Sequence, residues 1–375
     1  MPIYNSQQLE LRLQLEKFLS DHINPNAVIF DEQQFIPRAF FDLLAKHYYL
    51  GVTIPQKWGG SSYDYVNLGL MHEIFGKGLS SLQNILTVIG MVCKPLVKLG
   101  SDNQRKLWLP KISTGEILVS IALTEPNAGS DLKEIETYAE DKGNFYILNG
   151  IKKYITLGQI ADLFLVLSKT DNGFTTFLIE KSTPGIEIKP IKNILSLRSN
   201  MLAEIKFNGC KIPKEQILGG VGNGLSHVVA LALDEGRYTT AWGCVGLAQS
   251  CLEESRTYAS QRKQSNTTLD NHQLILKLLT EMIVEVKAAR EVCFNTGLLR
   301  DKKDIAYISE TLIAKYLAAK SAVRISYRAL QIFGAAGFTK EYSIERLYRD
   351  AKAMEVIEGT PQVYEINIPK NYSGI

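Results

Sequence analysis

Four short segments of this 375-residue chain carry residue types that could do chemistry. Glu358 follows the apolar-rich stretch 353–357 and precedes Gly359-Thr360. A carboxylate among apolar neighbours resists ionisation, so its pKa rises and it can act as a general base near neutrality. A Glu that merely caps a helix junction would show the same pattern. Leu233-Asp234-Glu235-Gly236-Arg237 lies in a long stretch without proline that reads as helix. Asp234 and Arg237, three residues apart, share a helix face and can pair. Gly236 costs such a helix about 1 kcal/mol relative to Ala, which points to something approaching closely there. Residues 121–131 read as a strand running into the loop Thr124-Glu125-Pro126-Asn127-Ala128-Gly129-Ser130-Asp131. Such a loop offers N–H groups and hydroxyls to phosphates or carbonyls, or is a plain connection capped at Ser130 or Asp131. Residues 149–158 read as a strand between turns, with Tyr154 a half-buried aromatic and Thr156 a β-former.

Other chemistries lack their residues. There is no G-x-G-x-x-G, G-x-x-x-x-G-K-[ST] or G-x-S-x-G, which argues against a dinucleotide fold, a P-loop and a hydrolase elbow. Ser226 and His227 are adjacent, and neighbours on a helix point apart, so a Ser–His couple is not expected. His22, His47, His72, His227 and His272 are scattered, so no metal site is expected. Lys+Arg number 42 against Asp+Glu 39, a net charge of +3 with no basic footprint for nucleic acid. The five cysteines form no C-x-x-C pair and read as reduced, buried thiols of a cytoplasmic protein. The N-terminus lacks the basic start and apolar run of a signal peptide. Continuous apolar runs such as 117–123 are short against the roughly 20 residues that cross a bilayer, so no membrane span is expected.

The elements that must position these residues fall into three stretches. Residues 1–112 read as helices, with Leu11, Leu15, Phe18, Leu19 and His22 on one face and a capping box at Ser101 and Gln104. Residues 113–220 hold short apolar runs near 117–123, 145–148, 163–167, 174–179, 186–188 and 205–207. Turn clusters at 141–144 and 170–173 separate them, which predicts a compact antiparallel β domain. Residues 221–375 return to long helical periods over 225–262, 273–300 and 304–333, which predicts a bundle. The fold class is α+β, mainly α.

T-E-P-x-A-G-S-D at 124–131, G-x-K-x-x-I-T at 150–156, D-x-x-R at 234–237 and R-D-A…E-G-T at 349–360 occur in one order. Together they resemble the acyl-CoA dehydrogenase family over almost the whole chain. Leu197-Arg198-Ser199 and Lys211-Ile212-Pro213 extend the match. The resemblance implies an N-terminal helical domain, a central β domain and a C-terminal four-helix bundle. It implies FAD extended between the β domain and the bundle, partly against a neighbouring subunit of a homodimer or homotetramer. The implied reaction is α,β-dehydrogenation of an acyl thioester: a carboxylate takes the α-proton, hydride passes to flavin N5, and donors stabilise the thioester oxygen. Electron-transfer flavoprotein or O₂ would take the electrons.

The resemblance implies roles for single positions. Glu358 matches the base, and Gly236 stands where a second branch of the family carries its base. Leu123, Thr124, Gly129 and Ser130 match the loop at the flavin and its pyrophosphate, and Tyr154 and Thr156 the pair beside the ring. Thr360 and Gln362 match the phosphate and adenine side. Arg262, Gln273, Gln331 and Gly334 match positions reaching the FAD of a neighbouring subunit. Asp234 and Arg237 match positions near the pantetheine arm and substrate. The sequence departs from the family at Tyr154, usually Trp or Phe, at Ser265, usually Phe, and at Ala335, usually Gly. Residues 236–248 and 349–360 are similar to the secondary-metabolism subgroup of polyketide and nonribosomal peptide pathways. That subgroup acts on thioesters held by acyl or peptidyl carrier proteins rather than CoA. The expected function is thus FAD-dependent dehydrogenation of a carrier-protein- or CoA-linked acyl thioester; the alternatives are a flavin oxidase on the same fold, such as a prolyl- or hydroxyacyl-carrier-protein oxidase, or a non-redox binding relative.

Overall fold

The computed structural model describes residues 4–372. Helices α1 (Ser6–Phe18), α2 (Asn24–Gln33), α3 (Arg38–Lys46), α4 (Tyr65–Gly78), α5 (Ser80–Leu99) and α6 (Asp102–Ser113) come first. The capping box opens α6: Gln104 N–H donates to Ser101 Oγ at 3.2 Å, and Ser101 N–H donates to the Gln104 side chain at 2.9 Å. Helix α5 corrects the expectation drawn from apolar runs. It is 20 residues long, and an 18-residue window within it, with a mean hydropathy of 1.3, is apolar enough to cross a bilayer, yet 72% of that window is buried inside the fold. The polar residues that break its apolar run bond within the core: Gln83 Nε2 donates to Thr87 Oγ1 and Thr239 O, each at 3.0 Å. It is a core helix.

Strands β1 (Val119–Ala122), β2 (Tyr138–Asp141), β3 (Phe145–Ile155), β4 (Leu163–Thr170), β5 (Gly173–Glu180), β6 (Ile186–Pro190), β7 (Ala203–Pro213) and β8 (Ile217–Leu218) follow. They form one sheet in the order β6-β7-β3-β2-β4-β5-β8, with β1 also on β4. The sheet is mixed rather than antiparallel, because β1 and β2 both run parallel to β4. Both reach β4 by long connections, not by a hairpin, and long connections permit parallel pairing. The turn clusters make the hairpins as expected, with Gly143 at φ 84° and Gly173 at φ 99°.

A π-helical turn, Gly224–Val229, leads into α7 (Ala230–Gln261). The two-residue strands β9 (Lys263–Gln264) and β10 (Thr267–Thr268) then precede α8 (Gln273–Asp301), α9 (Tyr307–Phe333), α10 (Ile344–Val356) and α11 (Pro361–Asn371). Helix α9 starts three residues later than its sequence pattern, because the Asp304 side chain accepts from Ala306 N–H and holds a turn there. Helices α7, α8 and α9 pack on one another, and α10 packs on α7 and α9. Helix α7 also packs on α4 and α5, so the bundle and the first helices share one core. The close approach runs through small residues: a Cβ on Gly246 would overlap the Glu73 carbonyl oxygen and lie 2.8 Å from Lys77 N. Backbone cannot yield as a flexible side chain would. Gly246→Ala should therefore force α4 and α7 apart and cost about 1–3 kcal/mol, read as a lower urea midpoint. An unchanged midpoint would show that the two helices do not rely on this contact.

Candidate active site

A cleft of about 440 Å³ lies between the β1–β3 side of the sheet and helices α5, α7 and α11. Its sheet wall is built on a buried ion pair. Lys152 is fully buried, and its Nζ donates to Glu125 Oε1 at 2.8 Å and to Leu123 O at 2.9 Å. Glu125 also accepts from the N–H groups of Glu136 and Thr137, at 2.5 and 3.0 Å. Burial alone would raise the Glu125 carboxyl, but the Lys152 hydrogen bond and charge hold it below its usual value. Burial lowers Lys152 to about 8, against the pull of Glu125. The acidic residue of one sequence motif and the lysine of another thus form one unit that shapes loop 123–131. Neither was singled out in sequence. Asp131 accepts from Lys133 N–H and caps the short turn Leu132–Glu134, as expected.

Tyr154 stands on a β-bulge. Between Lys152 and Ile155 the register of β3 against β7 slips, because three steps on β3 oppose two on β7. Tyr154 takes φ 60° and the residue is 56% exposed on the cleft wall, rather than half-buried in the sheet. Thr124 and Thr156 line the same wall, and their hydroxyls have no hydrogen bond within the chain among the described residues.

The helical wall carries the acid. Glu358 follows α10 at φ 58°, and the helix cap after it is Thr360 with Pro361, so Glu358 is not itself a capping residue. Its Oε2 is buried without a partner. Burial raises its pKa to about 7, while Arg237 and, less strongly, Lys315 pull it back down. The close approach expected at Gly236 is Glu358 itself. A Cβ there would lie 2.5 Å from Glu358 Oε2 and 2.8 Å from Met91 Sδ. The main chain at this turn is held by two groups that sequence reasoning missed. Tyr364 donates from its hydroxyl to Glu358 O at 2.7 Å, and Lys315 donates to Gly359 O at 3.2 Å.

Leu123, Thr124, Gly129, Ser130, Tyr154, Thr156, Arg237, Glu358 and Thr360 all line this one cleft. A second cavity of about 620 Å³ adjoins it, and Leu233, Arg237 and Val363 line both. Asp234 lines the second cavity. It does not pair with Arg237. Arg300 of α8 takes it by two hydrogen bonds, at 2.6 and 2.9 Å, from within a box of the rings of Tyr65, Tyr238 and Tyr307. A fixed two-pronged partner outcompetes one along the same helix. The same cavity corrects the Ser–His expectation: Ser226 Oγ lies 2.8 Å from His227 Nδ1, because the π-helical turn breaks α-helical spacing. Gln362 is exposed and outside the cleft. Arg262, Gln273, Gln331 and Gly334 are exposed together at the far end of the bundle, where Tyr258 and Phe333 stack at 4.2 Å. Ser265 and Asn266 form the left-handed turn of the β9–β10 hairpin.

The chain matches known proteins along its length. Residues 5–116, 120–210 and 222–372 match, in turn, the N-terminal, middle and C-terminal domains described for acyl-CoA dehydrogenase. It is 30% identical to "Acyl-CoA dehydrogenase" of Bacillus subtilis (strain 168), over 98% of each chain. The chain belongs to the acyl-CoA dehydrogenase family. Its fold is similar to a glutaryl-CoA dehydrogenase of Mycobacterium smegmatis in complex with FADH2, with a TM-score of 0.94, 26% identity and coverage of 99% and 96% of the two chains. It is equally similar to the prolyl acyl carrier protein oxidase AnaB, with a TM-score of 0.94, 28% identity and coverage of 99% and 100%. As a member of this family it is an FAD-dependent oxidoreductase acting on CH–CH bonds. The cleft fits FAD: an exposed ring, two unpaired hydroxyls and a loop fixed from behind form a polar and aromatic wall, opposite a buried carboxylate.

Two substitutions probe the two walls. Lys152→Met leaves Glu125 buried and unpaired, and should cost roughly 3–5 kcal/mol and weaken FAD retention. Wild-type stability by thermal unfolding would count against the buried pair. Gly236→Ala meets only flexible side-chain ends, so the fold should survive within about 1 kcal/mol. Flavin reduction by a thioester should nevertheless fall roughly tenfold to a hundredfold as the Glu358 carboxylate is displaced. An unchanged reduction rate would break the link between the two residues.

Proposed function

We propose that Glu358 is the base that removes the α-proton of an acyl thioester in an α,β-dehydrogenation. The buried, unpartnered Oε2 of Glu358 carries this reading. A carboxylate poised at about 7 is ionised before reaction yet holds a proton afterwards, the compromise a base needs near neutrality. When bound, FAD supplies the two-electron acceptor. The residues of this chain do the rest. Loop 123–131, Tyr154 and Thr360 would hold the cofactor, and Arg237 keeps a positive charge near Glu358. The second cavity takes the pantetheine arm past Asp234 and Arg237. An intact carboxylate and an assembled cleft favour redox chemistry over a non-redox binding role.

The thioester is delivered on an acyl or peptidyl carrier protein, in a polyketide or nonribosomal peptide pathway. The similarity to the prolyl acyl carrier protein oxidase supports this reading. So do the residues at 236–248. The active form is a homodimer or homotetramer. The exposed set Arg262, Gln273, Gln331 and Gly334, beside Leu274 at 77% and Phe338 at 73% exposure, supports it by offering an apolar face at one end of the bundle.

The test is anaerobic flavin bleaching by a panel of acyl-CoA and carrier-bound thioesters. Carrier-bound substrates should bleach the flavin faster than their CoA counterparts, and the reverse order assigns the enzyme to CoA. Peroxide released on turnover in air identifies an oxidase, and reduction of an electron-transfer flavoprotein identifies a dehydrogenase. Glu358→Gln should retain FAD and bind substrate while flavin reduction falls by roughly 10²–10⁴-fold. In the wild type, reduction should rise with pH through about 7, because only the ionised carboxylate accepts the proton. A purified protein without a flavin band would sink the assignment.

A further inference from the structure

Lys315 lies on α9, outside every motif of the sequence, and is 1% exposed. A buried ammonium is tolerated only where its protons find acceptors. All three acceptors here are main-chain oxygens: Met354 O at 3.0 Å, Glu355 O at 3.2 Å and Gly359 O at 3.2 Å. The first two belong to the last turn of α10, where unpaired carbonyls carry partial negative charge. The third lies one residue beyond Glu358. One side chain therefore ties down the chain on both sides of Glu358. The Tyr364 hydroxyl holds the carbonyl of Glu358 itself, and its ring lies 5.4 Å from Lys315 Nζ. The turn needs such restraint. Glu358 at φ 58° and Gly359 at φ 111° are both left-handed, and a non-glycine residue stays there only when its surroundings over-determine it.

Resting on the reading of Glu358 as base, we propose that Lys315 is the positioning residue of that carboxylate. It fixes the left-handed turn that carries Glu358 toward Gly236, and it supplies a buried positive charge within reach of the carboxylate. The groups facing Glu358 are few. Arg237 comes from α7, Lys315 from α9 and Tyr364 from α11, while Met91 of α5 is uncharged. Glu355 of α10 and Cys244 of α7 act on Lys315. Burial lowers Lys315 to about 8, so it still carries its charge where Glu358 ionises. Removing that charge moves the Glu358 midpoint upward, since an opposite charge favours the ionised carboxylate.

The experiment uses the FAD-loaded full chain, reduced anaerobically across a pH series. The probe is butyryl-CoA, or butyryl-phosphopantetheine on a carrier protein if CoA is refused. Lys315→Met should slow flavin reduction roughly a hundredfold and raise the midpoint of its rising limb by about one pH unit. Lys315→Arg keeps the charge but not the three-way geometry, and Tyr364→Phe keeps the charge and loses one tie. Both should slow reduction with the midpoint in place. A purely structural lysine would lower stability and FAD content in the Met variant without moving the midpoint of the FAD-loaded fraction, and that result overturns the proposal. If the Met variant is insoluble, wild-type rates in both other variants overturn it. Reduction at the wild-type rate in Glu358→Gln removes the base, and with it the role of Lys315. An inactive Glu358→Gln beside a fully active Lys315→Met removes the role of Lys315 alone.

Discussion

A buried acceptor oxygen with no hydrogen-bond partner is among the more expensive features a folded protein can keep. Glu358 Oε2 is such an oxygen, and the surrounding elements are arranged to allow it. Helix α7 gives up a side chain at Gly236 so that the carboxylate can lie against the helix. The same helix places Arg237 close enough to offset part of the desolvation. Helices α9 and α11 restrain the main chain on either side through Lys315 and Tyr364. Several helices must keep their relative positions for one carboxylate to stay poised. The tight backbone contact of α4 with α7 at Gly246 belongs to the same requirement, because α7 cannot shift without moving both Gly236 and Arg237.

The two walls of the cleft use one device. Each is backed by a buried lysine that bonds a main-chain carbonyl beside a cleft-lining residue: Lys152 to Leu123 O, and Lys315 to Gly359 O. Burial pulls both lysines down to about 8. They differ in how their charge is met. Lys152 has the carboxylate of Glu125 at 2.8 Å and forms a closed pair. Lys315 has carbonyl partners only, so its charge is left to act on its surroundings, and Glu358 is within its reach. A closed pair suits a wall that must be rigid. An open charge suits a wall that must hold an ionisable group near its midpoint.

The broad architecture was legible because it rests on local periodicity. The long helices, the β hairpins with their glycine turns and the capping box at Ser101 all follow from short-range rules. The orphaned carboxylate was legible in part: its apolar flank marked Glu358 and the costly Gly236 marked a close approach, but nothing in the sequence joined the two. What was missed depends on long-range contact or on local departure from ideal geometry. Asp234 chose Arg300, 66 residues away, over the nearer Arg237. Ser226 and His227 meet because a π-helical turn changes the helical spacing. Strand β2 is mostly exposed, so it carries no apolar run. Helix α5 hides its length behind polar residues such as Gln83, whose amide N–H₂ finds the Thr239 carbonyl only once α7 is in place. Lys315 sits in an ordinary amphipathic stretch, and only the arrival of α10 and the turn at Gly359 gives it a task.

The two cavities meet along α7. Leu233 and Arg237 lie one helical turn apart on α7, and both line the outer and the inner space. Gly236, against Glu358, lies beside Arg237 on that same turn. The point where the two cavities meet and the point where α7 yields to Glu358 therefore fall on one helical turn, roughly 5 Å of helix. The same cleft is lined by Asn84, Val88 and Met91, spaced at i, i+4 and i+7 along one face of α5. Two of the three are apolar. The third, Asn84, has its carbonyl oxygen already engaged by Asn200 Nδ2 at 2.8 Å. Asn84 keeps its amide N–H₂ and a second lone pair on that oxygen, so it remains a polar point on an otherwise apolar face. The helix that looks most like a membrane span by composition is thus one wall of the cleft.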